Sequence, residues 1–147
     1  MIREATSADL PGVKRIAELA FQPFVAKIGK KPAPMTADFA TLIDKGLVEV
    51  SVSAQGLKGY CISYPKGAGW HVENLAVAPD LHGSGEGRAL IADVEKRASS
   101  QGFEAIDLYT NVAMEAAIAF YLKLGYVELY RDEEDGFHRA YFKKNLI

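Results

Sequence analysis

From Leu47 onward apolar and polar residues alternate. Val48, Val50 and Val52 are separated by Glu49, Ser51 and Ser53, and Gln55-Gly56 then allows a turn. A period of two is that of a strand with one buried face. Leu57 to Tyr64 reads as the returning strand, ended by Pro65, and Trp70 to Val77 as a further one, ended by Pro79. Ile2 starts an earlier strand. Elsewhere the period lengthens to that of a helix. Leu10, Val13, Ile16, Ala17 and Ala20 share one helical face, behind Ser7 or Asp9 as caps. Thr36 to Lys45 predicts a short helix capped by Thr36 and stopped near Gly46. KIGKKPAPM, residues 27 to 35, reads as a loop. Leu90, Ile91, Val94 and Ala98 line one side of a helix over residues 86 to about 99. Ala105 to Tyr109 is a short strand. Met114 to Leu124 is a helix with Ile118, Tyr121 and Leu122 on one side, stopped at Gly125. Tyr126 to Tyr130 and His138 to Lys144 form a closing hairpin around Asp135-Gly136.

The predicted order is β-α-α-β-β-β-α-β-α-β-β, a single mixed α/β (α+β) domain over residues 1–147, with about seven strands and one parallel crossover in the middle. A chain of 147 residues can bury a proper core. The net charge of -2 gives no bias toward nucleic acid or membrane. A single cysteine, Cys61, excludes an internal disulfide framework and a cysteine zinc cluster, and no metal is expected. No secretory leader pattern opens the sequence and no apolar run approaches the roughly 20 residues of a membrane span. A cytoplasmic location is the default expectation.

The chemistry concentrates in HGSGEGRALI, residues 82 to 91. A helix start leaves backbone N–H groups unpaired, and glycines let the chain approach an anion closely, so the loop suits a diphosphate. Alone it is a weak signal. It lacks the Gly-Lys-Ser/Thr ending of a Walker loop, and its G-x-G-x-G spacing is not the dinucleotide fingerprint.

With its flanks the segment says more. ENLAVAPDLHGSGEGRALI, followed by NVAMEAAIAFYLKLGYVE, closely resembles the two central motifs of the GNAT superfamily of acyl-CoA-dependent N-acyltransferases. His82, Gly85 and Gly87 stand at the Arg/Gln-x-x-Gly-x-Gly/Ala positions of the first motif. Tyr121 and Gly125-Tyr126 match the second. The resemblance spans nearly the whole chain. It implies a twisted sheet splayed between its fourth and fifth strands, with acetyl-CoA in the opening and no metal. The pantetheine arm would pair with the backbone of Leu75, Ala76 and Val77. The pyrophosphate would meet the N–H groups of Gly83, Ser84, Gly85, Glu86, Gly87 and Arg88, beside His82. An amine would attack the thioester directly.

By the same resemblance Tyr121 would protonate the leaving thiolate; its helical spacing alone favours a core tyrosine. Two bases are candidates, His71 and Glu73, with an ordered-water relay as a third. Strand alternation puts both on one face with Leu75 and Val77. The oxyanion donor is expected from the backbone near Leu75 or Ala76. Asn111 either touches the cofactor or acceptor, or caps a strand end. Three departures stand out. His82 replaces an arginine or glutamine, Glu86 puts a carboxylate where a diphosphate would bind unless it points away, and Ala116 and Ala117 stand where relatives often carry asparagine.

The acceptor pocket falls to the loop from Phe21 to Met35 and the turn from Arg131 to Arg139. Lys27, Lys30 and Lys31 suggest a small amine that also bears a carboxylate; a solvated loop is the plainer alternative, and a protein acceptor stays open. The expected function is N-acetyl transfer from acetyl-CoA to a primary amine. The competing expectation is a non-catalytic acyl-CoA sensor on the same fold. The last strand, HRAYFKKNLI, offers an edge for a homodimer.

Overall fold

The computed structural model describes all residues from Met1 to Ile147. Seven strands form one sheet: β1 (Ile2–Glu4), β2 (Val48–Ser53), β3 (Gly56–Lys66), β4 (Gly69–Val77), β5 (Ala105–Asn111), β6 (Val127–Glu134) and β7 (Phe137–Asn145). Their spatial order is β1-β2-β3-β4-β5-β7-β6. Every neighbouring pair is antiparallel except β4–β5, which the long helix α4 (Glu86–Ser100) connects as a parallel crossover.

Helices cover both faces. On one side α1 (Leu10–Phe21) and α3 (Phe39–Asp44) bury Val13, Ile16, Phe21, Phe39 and Ile43 against Val48, Val50, Tyr60, Ile62 and Ala76. On the other, α4 and α5 (Glu115–Lys123) bury Leu90, Ile91, Val94 and Tyr121 against Cys61, Val72, Ile106, Leu108 and Phe142. Each such large side chain contributes about 1.5–3 kcal/mol by leaving water. No helix is long and apolar enough to cross a membrane.

The feature that shapes the site is a short pairing. β4 and β5 are in register only from Trp70 to Val72, against Ile106 to Leu108. Beyond that β4 runs on to Val77 and β5 to Asn111 without meeting, so the sheet opens into a V. A bulge marks the place. Ile62 pairs with Asn74 and Ser63 with Val72, leaving Glu73 as the extra residue on β4. A bulge bends its strand and adds twist, here where the two strands part.

The bulge also corrects the expected alternation. Residues 71, 73, 75 and 77 do not share a face. Tyr64, packed on the α1 core, lies beside the His71 ring and bonds to Glu73, whereas Leu75 and Val77 pack against the α4 core. One inserted residue reverses every later side chain.

Other boundaries shift for local reasons. α3 starts at Phe39 because Asp38, not Thr36, caps it: its carboxylate accepts from the Thr41 N–H at 3.2 Å and the Thr41 hydroxyl at 2.8 Å. Within the expected loop, Val25–Ile28 makes one helical turn, α2, ended by Gly29 at φ 86°. β6 runs four residues past Tyr130 to Glu134. It is an edge strand whose polar end needs no buried face, and the Asp135-Gly136 turn, φ 55° and 80°, matches the twist of the hairpin. β7 lies between β5 and β6, so it has no free edge for a second copy; the outer edges belong to β1 and β6.

Candidate active site

Two cavities meet in the V. The outer one, about 470 Å³, runs from the unpaired end of β4 to the glycine loop and is closed by Phe24 and Phe120. The inner one, about 230 Å³, lies between β4 and β5 under Pro32, Ala33 and Pro34. Phe21, Leu75, Met114, Ala117 and Tyr121 line both. Tyr121 therefore stands at the junction.

Backbone direction fixes what β4 offers to the outer cavity. The Ala78 N–H donates to the Lys58 carbonyl on the β3 side at 2.8 Å. Strand alternation then turns the N–H and C=O of Leu75 and Val77 toward the opening, and those of Ala76 toward β3. The Val77 carbonyl already accepts from His82 Nε2 at 3.0 Å. His82 thus closes the strand end rather than reaching freely for a phosphate. The Leu75 N–H is the better placed of the two expected oxyanion donors.

The loop itself is built as an anion cradle. Gly83 and Gly85 have φ of 83° and 92°, and neither has an atom within 4 Å of a Cβ position, so the backbone is left open. At Gly87 a Cβ would stand 3.2 Å from Phe120 Cζ, which lets α4 and α5 pack closely at the cavity mouth. Ser84 is exposed and committed to the turn, its hydroxyl donating to the Leu81 carbonyl at 2.6 Å and its N–H to the same oxygen at 3.1 Å, so its N–H is not free for a phosphate. Arg88 is exposed in the first turn of α4. Glu86 points away from the cradle: its carboxylate accepts from Lys58 Nζ at 2.9 Å and the Ser51 hydroxyl at 2.8 Å. Those two hydrogen bonds, with the lysine charge, hold its carboxyl below the ordinary range. The extended edge, the open glycines and the unpaired N-terminus of a 15-residue helix fit a pantetheine–diphosphate chain.

The matched family description is the acetyltransferase (GNAT) family, over residues 14–126. The chain belongs to the GNAT family. Solved GNAT-like structures superpose over nearly its full length. PaiA N-acetyltransferase from Thermoplasma acidophilum in complex with coenzyme A does so with a TM-score of 0.83 at 16% identity, over 99% of this chain and 98% of that one. The ribosomal-protein-S18-alanine N-acetyltransferase from Escherichia coli gives 0.73 at 20% identity, over 99% and 94%. Among curated proteins, mycothiol acetyltransferase from Paenarthrobacter aurescens (strain TC1) is 42% identical over 53 residues. That segment is 36% of this chain, and the match spans only 16% of that protein's length.

Within this GNAT domain the sequence-derived site residues separate into groups. Leu75, Ala76, Val77, His82, Gly83 and Gly85, with Glu86, Gly87, Arg88 and Tyr121, line the outer cavity; Ser84 does not. Glu73 and Asn111 line the inner one. Asn111 both caps and lines: its Oδ1 accepts the Ala113 N–H at 2.9 Å. His71 lines neither cavity. Its ring is buried between Tyr64 and Tyr109, and Nδ1 lies 2.6 Å from Asp107. Glu73 instead faces the inner cavity and accepts from the Tyr64 hydroxyl at 2.7 Å. The Tyr121 ring packs edge-on against Phe120 and Tyr126, and burial pushes its phenol up, so it holds its proton at neutral pH. Burial likewise pushes the Cys61 thiol up to about 12, leaving it no role as a nucleophile.

The three lysines of the loop do not line the inner cavity. Lys30 stacks over the Phe137 ring at 4.2 Å, Lys27 lies 6.0 Å from that of Phe24, and Lys31 borders a separate surface hollow with Lys14 and Glu18. Long ammonium stems keep their heads in water. Beside Glu73 and Asn111, the polar lining includes Asn74 and Tyr109, which sequence spacing did not single out, and Arg139, at the end of the turn assigned to the acceptor. Asn74 accepts from the Tyr60 hydroxyl at 2.9 Å and donates to the Pro34 carbonyl at 3.0 Å, tying the roof loop to β4. Tyr109 and Arg139 complete the far wall. Only its alternation with apolar residues on β5 could have flagged Tyr109, and Asn74 is masked by the bulge.

Proposed function

We propose that the chain is an acetyl-CoA-dependent N-acetyltransferase acting on a primary amine, with a small-molecule acceptor. The observation that carries this reading is Tyr121, a buried phenol that lines both the outer cavity, which runs to the glycine loop, and the inner one that bears Glu73. A thioester is the acyl donor. The amine arrives as an ammonium and must lose a proton before it attacks. Glu73 takes that proton, directly or through one water. The nitrogen lone pair forms the C–N bond at the thioester carbonyl while the C–S bond breaks. The Leu75 N–H stabilises the charge that gathers on the carbonyl oxygen. Tyr121 gives its proton to the departing thiolate and recovers one from the nitrogen as the amide forms. The sum is ammonium plus thioester going to amide, thiol and one released proton.

The roof of the inner cavity, tied down by Asn74, supports a small acceptor over a folded protein surface. A non-catalytic acyl-CoA sensor drew part of its case from Glu86, and that carboxylate is engaged by Lys58 and Ser51 instead. The deciding experiment pairs calorimetry of CoA binding with thiol release over an amine panel. Wild type should bind CoA and release thiol with at least one amine. Tyr121→Phe should keep CoA affinity and lose about 10²-fold or more in kcat. Equal turnover by Tyr121→Phe would remove the phenol from the mechanism, and no heat with CoA would end the transferase reading.

A further inference from the structure

Arg139 is the one cation lining the inner cavity, and its side chain is only 6% exposed. A buried guanidinium needs its charge matched and its N–H groups used. Here two carboxylates match the charge, but both lie at Nη1, and the other N–H groups are left to the cavity side. Nη1 donates to Glu134 at 2.7 Å and stands 3.6 Å from Asp135, both on the solvent side of the β6–β7 hairpin and 56% and 78% exposed. The guanidinium lies over the Tyr109 ring, 4.3 Å from its centroid, with Phe137 at 5.5 Å. The Nη1 bond to Glu134 is the one hydrogen bond of 3.5 Å or less that the guanidinium makes, and the Tyr141 hydroxyl, two residues along the same strand, lies beside it. Nε and Nη2 make no bond that short, and together they form the edge of the fork that takes a carboxylate in bidentate fashion.

The opposite wall carries the complementary charge. Glu73 is the one anion lining the same cavity. Arg139 is held on β7 opposite Asn111 of β5, and Glu73 sits across the V on β4. A cavity with one cation at one wall and one anion at the other suits a zwitterion lying between them. Its volume of about 230 Å³ admits a molecule of amino-acid size. Lys30, stacked on Phe137 beside the hairpin turn, joins the roof loop to the wall that bears Arg139.

We propose that the acceptor is an amino acid or a close analogue, its carboxylate held by the Nε/Nη2 edge of Arg139 and its ammonium directed at Glu73. This rests on the transferase reading and specifies the acceptor class for the same site. A polyamine fits less well: its second ammonium would face Arg139 inside the cavity, with Glu134 and Asp135 on the solvent side of the guanidinium.

The test compares matched amine pairs, each an amino acid and the same skeleton without its carboxylate, with spermidine added. Thiol release is followed with acetyl-CoA in excess. For wild type the carboxylated member should have a KM at least about tenfold lower. In Arg139→Gln that ratio should collapse toward one; in Arg139→Lys, which keeps the charge and loses the fork, it should fall between. Should Arg139→Gln fail to fold, Arg139→Lys alone decides, an unchanged ratio counting against the proposal. Wild type that favours spermidine or the decarboxylated members overturns it. A chain that binds CoA yet neither acetylates any carboxylated amine nor gains heat stability from one overturns it too, with the CoA site intact. If CoA itself gives no heat, the transferase reading has failed separately. Heat protection of the free chain by amino acids, lost in Arg139→Gln, still decides whether Arg139 binds carboxylates.

Discussion

The Tyr64 hydroxyl donates to the Glu73 carboxylate across the β3–β4 bulge, at 2.7 Å. Burial first, and then the bond to Glu73, pushes the Tyr64 phenol up, so it stays a donor throughout the working pH range. The bond holds the carboxylate in place at the edge of the inner cavity. Tyr64→Phe should therefore lower kcat by loosening Glu73 and leave CoA affinity unchanged. Glu73→Gln should cost about 10²–10⁴-fold in kcat, whereas His71→Asn, away from both cavities, should cost far less turnover and mainly stability. Equal losses at Glu73 and His71, or full turnover by Glu73→Gln, would remove Glu73 as the base.

The glycine loop separates backbone strain from ligand contact. Gly85 has φ 92° and free space around its Cβ position, so Gly85→Ala meets no atom but strains the left-handed backbone. It should cost about 1–2 kcal/mol of stability and weaken CoA binding, because the cradle depends on that conformation. Gly87 is the reverse case. Its φ is ordinary, but a Cβ meets Phe120 at 3.2 Å. Gly87→Val should displace Phe120 from the cavity mouth and raise the KM for acetyl-CoA with little change in kcat. Denaturant melts and CoA titrations on the two variants distinguish these effects.

Element order was legible because hydrophobic period carries it. Val48, Val50 and the half-buried Val52 made a strand, and the buried Leu90, Ile91, Val94 and Ala98 made a helix. The outer cavity was legible for a different reason: glycines and a helix start are local, so the loop could be found without knowing the sheet. The inner cavity was not. Glu73 and His71 looked equivalent by alternation, but His71 lies within the β4–β5 pairing, opposite Asp107, and Glu73 lies just past its end. Arg139 closes the turn assigned to the acceptor, but nothing local marks it as buried, since it is Tyr109 on a neighbouring strand that its guanidinium packs over. Local chemistry shows in a sequence, while chemistry assembled across strands depends on register.

At the entry to α1, Asp9 gathers the chain. Its carboxylate accepts from both Arg3 Nη1 and Nη2, at 2.8 and 3.1 Å, and from the Thr6 N–H at 2.8 Å. These bonds, led by that of Arg3, hold its carboxyl at about 2, below its ordinary 3.8. The native state then gives up this proton more readily than the unfolded chain. The stabilisation is complete above pH 3.8 and is lost as pH falls through about 2. Asp9→Asn should lower the melting temperature at pH 7 by about 2–4 °C. The gap from wild type should close between pH 4 and pH 2, and a gap that persists at pH 2 would assign the loss to packing.

Glu86 tests whether a misplaced carboxylate can spoil the cradle. Lys58 and Ser51 hold it toward the sheet, 24% and 20% of the Lys58 and Glu86 side chains being exposed. Lys58→Met removes the charge partner and leaves Glu86 free to swing toward the first turn of α4, where the diphosphate would lie. Like charges there repel, so CoA affinity should fall by about two- to tenfold at low salt. Raising ionic strength should shrink the loss, because a Debye length of about 8–10 Å screens exposed groups. Adding Glu86→Gln to Lys58→Met should restore affinity by removing the repelling charge. If the double variant binds CoA as weakly as Lys58→Met alone, the lysine acts on the ligand directly, and Glu86 has no part in it.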